Sequence, residues 1–197
     1  MSQVKFGPVG LGGVKEAISN LKKYKELGLK ACEIAFTYGV YIKKKEDATK
    51  IGAAARELGI QLSIHAPYWI NLNSAEKEKI EKSKQRILKC CEVGTLLGAK
   101  KVVFHPGYYT KNSQANFGAT KSKTVLKHRT GEDFVGGKID KEKTYENIKR
   151  EILEMQKEMK QKKYNPKLAP ETIGKVNVFG SIDEIKQLVE DTMQFLY

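Results

Sequence analysis

Apolar positions along the chain follow two spacings, short apolar runs typical of buried strands and longer stretches with helical periodicity. The short runs predict five strands, at 4–9, 31–36, 60–65, 101–105 and 168–171. The longer stretches predict five helices, at 14–27, 45–58, 74–97, 144–160 and 181–190, the third and the last opened by Ser74 and Ser181 as N-caps. Because a strand follows each helix after a short gap, except where a long insert intervenes, the pattern predicts parallel strands joined by crossover helices.

The length of 197 residues suits one domain with a substantial core. No stretch reads as a linker between two globular halves, so we expect residues 1–197 to form a single domain. An insertion interrupts the alternation at about 110–138, and it is rich in glycine and basic residues, including Lys121, Lys123 and Arg129. Two interpretations are open for it, a tolerated surface insertion and a basic loop that contacts phosphates.

Three predicted strands end in residues that bind metals. His65 ends the run before Ala66-Pro67, His105 ends the run before Pro106-Gly107, and Glu171 follows Leu168-Ala169-Pro170. Histidine nitrogens and a carboxylate are ligands for a borderline metal such as zinc. A single histidine at a strand end is more often a hydrogen-bonded turn residue. Because two of the three histidines occupy equivalent places, we favour a shared metal site.

Charge and cysteine content bear on the expected partner and on the cellular location. The formal net charge of +13 favours a polyanionic partner, nucleic acid first, although lysine-rich solvated helices produce the same excess. The three cysteines, Cys32, Cys90 and Cys91, have no CxxC spacing, so we expect neither disulfides nor a cysteine zinc site. With no apolar signal or membrane-spanning stretch, the expected protein is soluble and cytoplasmic, with no membrane partner.

Several motifs occur in a familiar order: His65-Ala66-Pro67-Tyr68 with Ile70-Asn71-Leu72, then Phe104-His105-Pro106-Gly107, then Pro170-Glu171-Thr172-Ile173-Gly174. With these motifs the chain resembles the endonuclease IV family, apurinic/apyrimidinic endonucleases of the xylose-isomerase-like barrel class. The resemblance implies an α/β fold of the (β/α)8 TIM-barrel type, with metal ions at the carboxyl ends of the strands. It also implies that His65 and His105 bind the first zinc, and that Glu171 is the catalytic carboxylate that bridges two metals.

The same resemblance implies an activity and a partner. Members of this family are zinc-dependent hydrolases of DNA repair that incise double-stranded DNA at abasic sites, and Mn2+ is an alternative metal. Tyr68 matches the family tyrosine near the DNA, and the loop after the second predicted strand, which probes DNA in the family, here offers Tyr38 and Tyr41. A basic surface would add affinity for the DNA backbone that does not depend on sequence.

The chain departs from this family at its carboxyl end. It stops where a sixth strand is expected, after about five βα units, and the later Asp and His ligands are absent, so the ligands present suffice for about one zinc. We expect either the first part of a longer enzyme or a shortened protein that folds alone or pairs with another chain. Two other functions stay open, a sugar (phosphate) isomerase or epimerase of the same barrel class and a non-catalytic remnant that binds metal or DNA.

Overall fold

A computed structural model describes residues 4–109 and 140–193. Its helices are α1 (Ala17–Glu26), α2 (Lys45–Glu57), α3 (Lys77–Leu97), α4 (Lys141–Lys162) and α5 (Ile182–Met193). Its strands are β1 (Ala31–Ala35), β2 (Gln61–His65), β3 (Lys101–Phe104), β4 (Gly107–Tyr108), β5 (Lys167–Pro170) and β6 (Val178–Phe179). The five predicted helices are all present, and their ends agree with the prediction to within three residues.

Four of the strands form one parallel sheet in the order β1-β2-β3-β5. Neighbouring strands are consecutive in the chain except for the short β4, and α2, α3 and α4 connect them. The register pairs Ala35 with His65, His65 with Val103, and Phe104 with Pro170. This is the predicted arrangement of parallel strands with crossover helices, and it brings the carboxyl ends of all four strands to one edge of the sheet.

One face of the sheet is packed and the other is open. Alternate strand residues are buried on the packed face, namely Cys32, Ile34, Leu62, Ile64, Val102, Phe104 and Leu168. They share a core with helix residues such as Ile51, Ile87 and Ile152. The other face carries Glu33, Ser63, Val103 and Ala169, which are only half-buried. In a barrel, that second face lines the interior.

The first predicted strand, 4–9, was wrong as a regular strand. Its segment runs beside β1 but makes a single parallel bridge, between Val9 and Glu33. The carbonyls of Phe6 and Pro8 accept hydrogen bonds from β1 and the residue before it. Pro8 has no N–H to donate in return, which interrupts a ladder. A side chain at Gly7 would also collide with the Ala31 carbonyl, so the close approach requires glycine.

Helix starts differ from the prediction in an instructive way. Ser74 does not cap α3, which begins three residues later at Lys77; the Ser74 hydroxyl instead accepts a hydrogen bond from the Glu76 N–H in a local turn. At α5, by contrast, Ser181 and Glu184 bond each other's backbone N–H groups as a capping box. The small antiparallel pair of β4 and β6 was not expected from the sequence.

Three further expectations concern the basic insertion, membrane-spanning helices and the cysteines. Lys121, Lys123 and Arg129, with the whole basic insertion at 110–138, lie outside the described residues. Within the described ranges, no helix combines the length and the apolar character that a membrane span needs. Cys32, Cys90 and Cys91 are all buried free thiols, as expected from their spacing.

Candidate metal centre at the strand ends

Backbone hydrogen bonds continue past the strand ends and bring the three predicted ligands together. The Phe36 N–H donates to the His65 carbonyl at 2.9 Å, which holds the end of β2 against the end of β1. The Ala66 N–H donates to the Val103 carbonyl at 2.8 Å, and the Glu171 N–H to the Phe104 carbonyl at 2.9 Å. Because pairing persists at these positions, the His65, His105 and Glu171 side chains leave the same edge of the sheet.

The three side chains converge at one point. His65 Nε2 lies 3.0 Å from Glu171 Oε2, and His105 Nδ1 lies 3.5 Å from the same oxygen. One ligand atom from each residue falls within 4.8 Å of the other two. The side chains of His65, His105 and Glu171 are 22%, 32% and 41% exposed, so solvent or a ligand reaches the cluster. The structure therefore assembles the two-nitrogen, one-oxygen donor set that the sequence predicted.

The proton of His65 is assigned by its second hydrogen bond. Nδ1 lies 2.9 Å from the Ala66 carbonyl, an acceptor, so Nδ1 carries a hydrogen. In the neutral ring Nε2 then presents a lone pair to Glu171 Oε2, which also presents lone pairs. Such a contact requires a proton or a metal cation between the two atoms. The carbonyl that orients the ring is the partner that metal-binding histidines commonly have.

His105 shows the complementary feature. Its Nδ1 is buried and makes no hydrogen bond, although it faces Glu171 Oε2. A buried polar atom without a partner costs about 1–3 kcal/mol, so this nitrogen is placed for something other than the protein's own hydrogen bonds. Burial is the main cause that lowers the pKa of His105, and the charges of His65 and Lys175 act in the same direction. A neutral imidazole is the form that binds metals.

The pKa of His65 moves the other way. Burial alone would lower it, but hydrogen bonds with Glu171 and Ala66 and the charge of Glu33 outweigh burial and raise the pKa. A proton on Nε2 thus substitutes for a cation in the contact with Glu171. The two histidines beside Glu171 therefore have pKa shifts of opposite direction.

A set of hydrogen bonds, the loop latch, joins the loop after His65 to the loop after His105. The Leu72 N–H donates to the Pro106 carbonyl at 2.9 Å. Asn71 Oδ1 accepts from the N–H groups of Asn73 at 3.1 Å and Tyr108 at 3.4 Å. Asn73 Nδ2 in turn donates to the Tyr108 carbonyl at 2.9 Å. The latch fixes one histidine-bearing loop relative to the other, and sequence reasoning did not identify it.

The predicted DNA contacts fall into three groups. Tyr38 and Tyr68 are exposed near the strand ends. Tyr41 is half-buried and packs edge-on against Phe36, with 5.2 Å between the ring centroids. The basic residues of the insertion lie outside the described residues. Burial raises the pKa of Tyr41, consistent with its place at the core. The DNA-binding role of all these residues stays a prediction.

Trp69 joins Tyr38 and Tyr68 in an exposed aromatic cluster that the sequence analysis missed. The ring centroids of Tyr68 and Trp69 are 4.3 Å apart, and Tyr38 lies 6.1 Å from each. The signal was available in principle, because Trp69 directly follows a residue assigned to DNA. Tyr38 follows β1 and the other two rings follow β2, so the cluster lies at the same sheet edge as His65, His105 and Glu171.

Comparison with known proteins decides the family. The sequence model described as xylose isomerase-like TIM barrel matches residues 21–193. The chain belongs to this family. As a xylose isomerase-like TIM barrel, it has the fold class predicted from its sequence, and the four-stranded parallel sheet is part of that fold. The endonuclease IV resemblance also has support, since a probable endonuclease 4 of Mycobacterium marinum is 30% identical over 84 residues, 43% of this chain and 32% of that protein.

Other relatives of this xylose isomerase-like chain differ in what their names report. An uncharacterized protein of Methanocaldococcus jannaschii is 36% identical over 186 residues, covering 93% of this chain and 56% of that protein. The chain thus spans about half the length of that curated relative, and less of the endonuclease. Endonuclease IV from Thermus thermophilus superposes with a TM-score of 0.61 at 22% identity, covering 96% of this chain and 60% of that one. An L-ribulose 3-epimerase superposes at 0.64 with 13% identity, covering 98% and 58%.

Proposed function

We propose that this chain supplies the metal-binding part of an endonuclease IV-like phosphodiester hydrolase that acts on DNA at abasic sites. The observation that carries the proposal is the convergence of His65 Nε2, His105 Nδ1 and Glu171 Oε2, with lone pairs facing one another and one nitrogen left without a partner. The sequence likeness to a probable endonuclease 4 and the net charge of +13 favour DNA over a neutral substrate.

The donor set fits zinc. Two imidazole nitrogens and a carboxylate oxygen, with the site open to solvent, match a catalytic zinc site that keeps a position for water or substrate. A zinc ion held there would supply Lewis acidity toward a phosphoryl oxygen and activate water at neutral pH. Mn2+ is compatible with the same donors but prefers more oxygen ligands, so zinc is the favoured metal.

The chain's own residues have separate tasks in this proposal. His65 is held by the Ala66 carbonyl so that Nε2 points into the site, and His105 is held by the latch through Pro106 and the residues after it. Glu171 presents one oxygen to both rings. It is the proposed catalytic carboxylate, because it is the most exposed of the three and the most accessible to a phosphodiester.

The decisive experiment measures zinc content and incision together. Protein purified without chelator is expected to hold about one zinc per chain, which His65→Ala removes. A duplex with one abasic analogue, tested with the chain extended by the remaining part of its Methanocaldococcus jannaschii relative, is expected to be cut at that position only with zinc present, and Glu171→Gln is expected to abolish the cut. Glu78→Gln, at an exposed carboxylate of α3 that pairs with Lys82, is the matched control and should leave both readings unchanged. Zinc binding without incision at any metal concentration would overturn the nuclease proposal.

A second candidate has its own support. Solved epimerases share the fold, among them D-psicose 3-epimerase from Clostridium cellulolyticum H10 at a TM-score of 0.59, and their likeness is comparable to that of endonuclease IV. A sugar isomerase or epimerase would use the same donors on a ketose. Turnover of a ketose, with no cut in the abasic duplex, would favour this candidate. If a zinc-loaded protein carried out neither reaction, a non-catalytic role in binding metal or DNA would be favoured.

A further inference from the structure

A half-buried carboxylate lies on the open face of the sheet, two residues before the end of β1. This residue, Glu33, shares the face with Ala35 of the same strand and with Ser63 and His65 of β2. Among residues 4–109 and 140–193, its side chain has no hydrogen bond and no ion pair. Taking a charged group partly out of water without a partner costs free energy, so a carboxylate in this position needs an explanation.

The strand register places Glu33 next to a candidate ligand. Glu33 pairs with Ser63, and Ala35 pairs with His65, so Glu33 is the diagonal neighbour of His65 on the same face. Diagonal neighbours in a sheet lie roughly 7–8 Å apart, which is within reach of a long side chain. Glu33 is not part of the group whose ligand atoms lie within 4.8 Å of one another. It is therefore close to the candidate metal centre but outside its ligand set.

The backbone of Glu33 is fixed between two neighbouring segments. Its N–H donates to the Pro8 carbonyl at 3.0 Å, and its carbonyl accepts from the Gly10 N–H at 2.8 Å. On its other side β1 pairs with β2 along all five residues. A charge on such a strand keeps its place better than a charge on a loop, so its effect on a nearby cation is preorganised.

The three candidate ligands balance only half of the charge of a divalent cation. His65 and His105 bind metals as neutral rings, and Glu171 supplies one negative charge. Lys175 adds to the positive excess, because its charge acts on His105. The charge of Glu33 acts on His65 and has the opposite sign. Charges in a partly buried site are screened less than in water, so this balance affects how tightly a cation binds.

We propose that Glu33 is a positioning residue of the metal centre, whose carboxylate stabilises a divalent cation bound by His65, His105 and Glu171 through its charge and without binding the ion directly. The inference rests on the metal-binding part of the proposed function and is independent of the reaction. It also accounts for the unpaired side chain, because the carboxylate then costs stability in the metal-free protein and recovers it when the cation binds.

The experiment measures zinc affinity and metal-free stability in variants of the full chain. Glu33→Gln keeps the shape of the side chain and removes its charge, so it should weaken zinc binding about 10-fold in competition with a chromophoric chelator. Glu33→Asp keeps the charge on a side chain one methylene shorter, and its zinc affinity should stay within about 3-fold of the wild type. Without metal, Glu33→Gln should be at least as stable as the wild type in urea unfolding, because an unpaired charge is removed.

The matched control is Glu57→Gln, which removes the same charge from an exposed position at the end of α2. An equal loss of zinc affinity in this control would overturn the proposal in favour of an effect of overall charge. Unchanged zinc affinity in Glu33→Gln would overturn it too. An equally large loss in Glu33→Asp would mean that Glu33 binds the ion directly, and a less stable metal-free Glu33→Gln would mean a structural role; either result overturns the proposal.

The same measurements separate this inference from the proposed nuclease. If the wild type binds zinc and cuts DNA while Glu33→Gln binds zinc equally well, the inference fails and the nuclease proposal stands. If Glu33→Gln binds zinc more weakly in a protein that cuts no DNA, the inference stands and the nuclease proposal fails. A wild-type chain that binds no zinc overturns both.

Discussion

The loop latch makes a prediction that separates stability from metal affinity. Asn71→Ala removes the oxygen that accepts from the Asn73 and Tyr108 N–H groups, and so removes one of the hydrogen bonds between the loop after His65 and the loop after His105. Asn71→Asp is the matched control, since it keeps an acceptor oxygen in the same place. If the latch positions the histidines, the first variant should lose zinc affinity and the second should not.

The size of the effect follows from the geometry. The bond to Asn73 is 3.1 Å long and contributes about 1 kcal/mol, whereas the 3.4 Å bond to Tyr108 belongs at the low end of the range for hydrogen bonds, near 0.5 kcal/mol. Asn71→Ala should therefore destabilise the fold by about 1–2 kcal/mol. Groups that orient metal ligands affect metal affinity about 10- to 100-fold, and we expect the lower figure because the Leu72 to Pro106 bond remains.

Urea unfolding of the metal-free protein measures the loss of stability, and competition for zinc with a chromophoric chelator measures the loss of zinc affinity. Gly107→Ala provides an independent route to the same result. Gly107 has φ +149°, and a Cβ there would lie 2.5 Å from Asn71 Oδ1. A zinc affinity that stays at the wild-type value in both variants, while stability falls, would refute the positioning role and leave the latch purely structural.

Two further predictions concern elements that frame the site. Lys84 of α3 is buried and lies 3.1 Å from Glu151 of α4, which is also buried. Lys84→Met should lower the free energy of unfolding in urea by about 2–3 kcal/mol, less than for a buried charge with no partner, because Arg150 still pairs with Glu151. A variant as stable as the wild type would contradict this prediction. Burial raises the pKa of Glu184, but hydrogen bonds from Tyr109 and the α5 cap outweigh it and lower the pKa below its ordinary value. The ionised carboxylate therefore stabilises the fold above the ordinary pKa of about 4.3, and this stabilisation is lost as pH falls through the lowered value. In Glu184→Gln the free energy of unfolding should fall less steeply as the pH is lowered through this range, and the same pH dependence as in the wild type would contradict the prediction.

The sequence predicted the parts of the site that depend on strand periodicity. His65, His105 and Glu171 were found because each ends a run whose alternation is set by a buried sheet, and parallel strands bring such ends together whatever the loops do. The latch and Trp69 were missed because they depend on contacts between loops, which no local period encodes. The prediction of the first strand was wrong for a local reason. Pro8 has no N–H to donate to the neighbouring strand, and the apolar pattern alone does not reveal this.

The candidate metal ligands His65, His105 and Glu171 are compatible with a DNA substrate and equally with a ketose. Two imidazoles and a carboxylate at strand ends serve either reaction, and solved structures of both kinds share the fold. The choice between these substrates must therefore come from groups that contact the substrate outside the candidate metal centre. In the proposed function those groups are the exposed aromatic rings near the strand ends and the exposed lysines that follow Tyr38 in the chain, a combination that favours a base and its phosphates over hydroxyl groups. It follows that exchanging Tyr38 should change which ligand binds far more than it changes how zinc binds, whereas exchanging His105 should do the reverse.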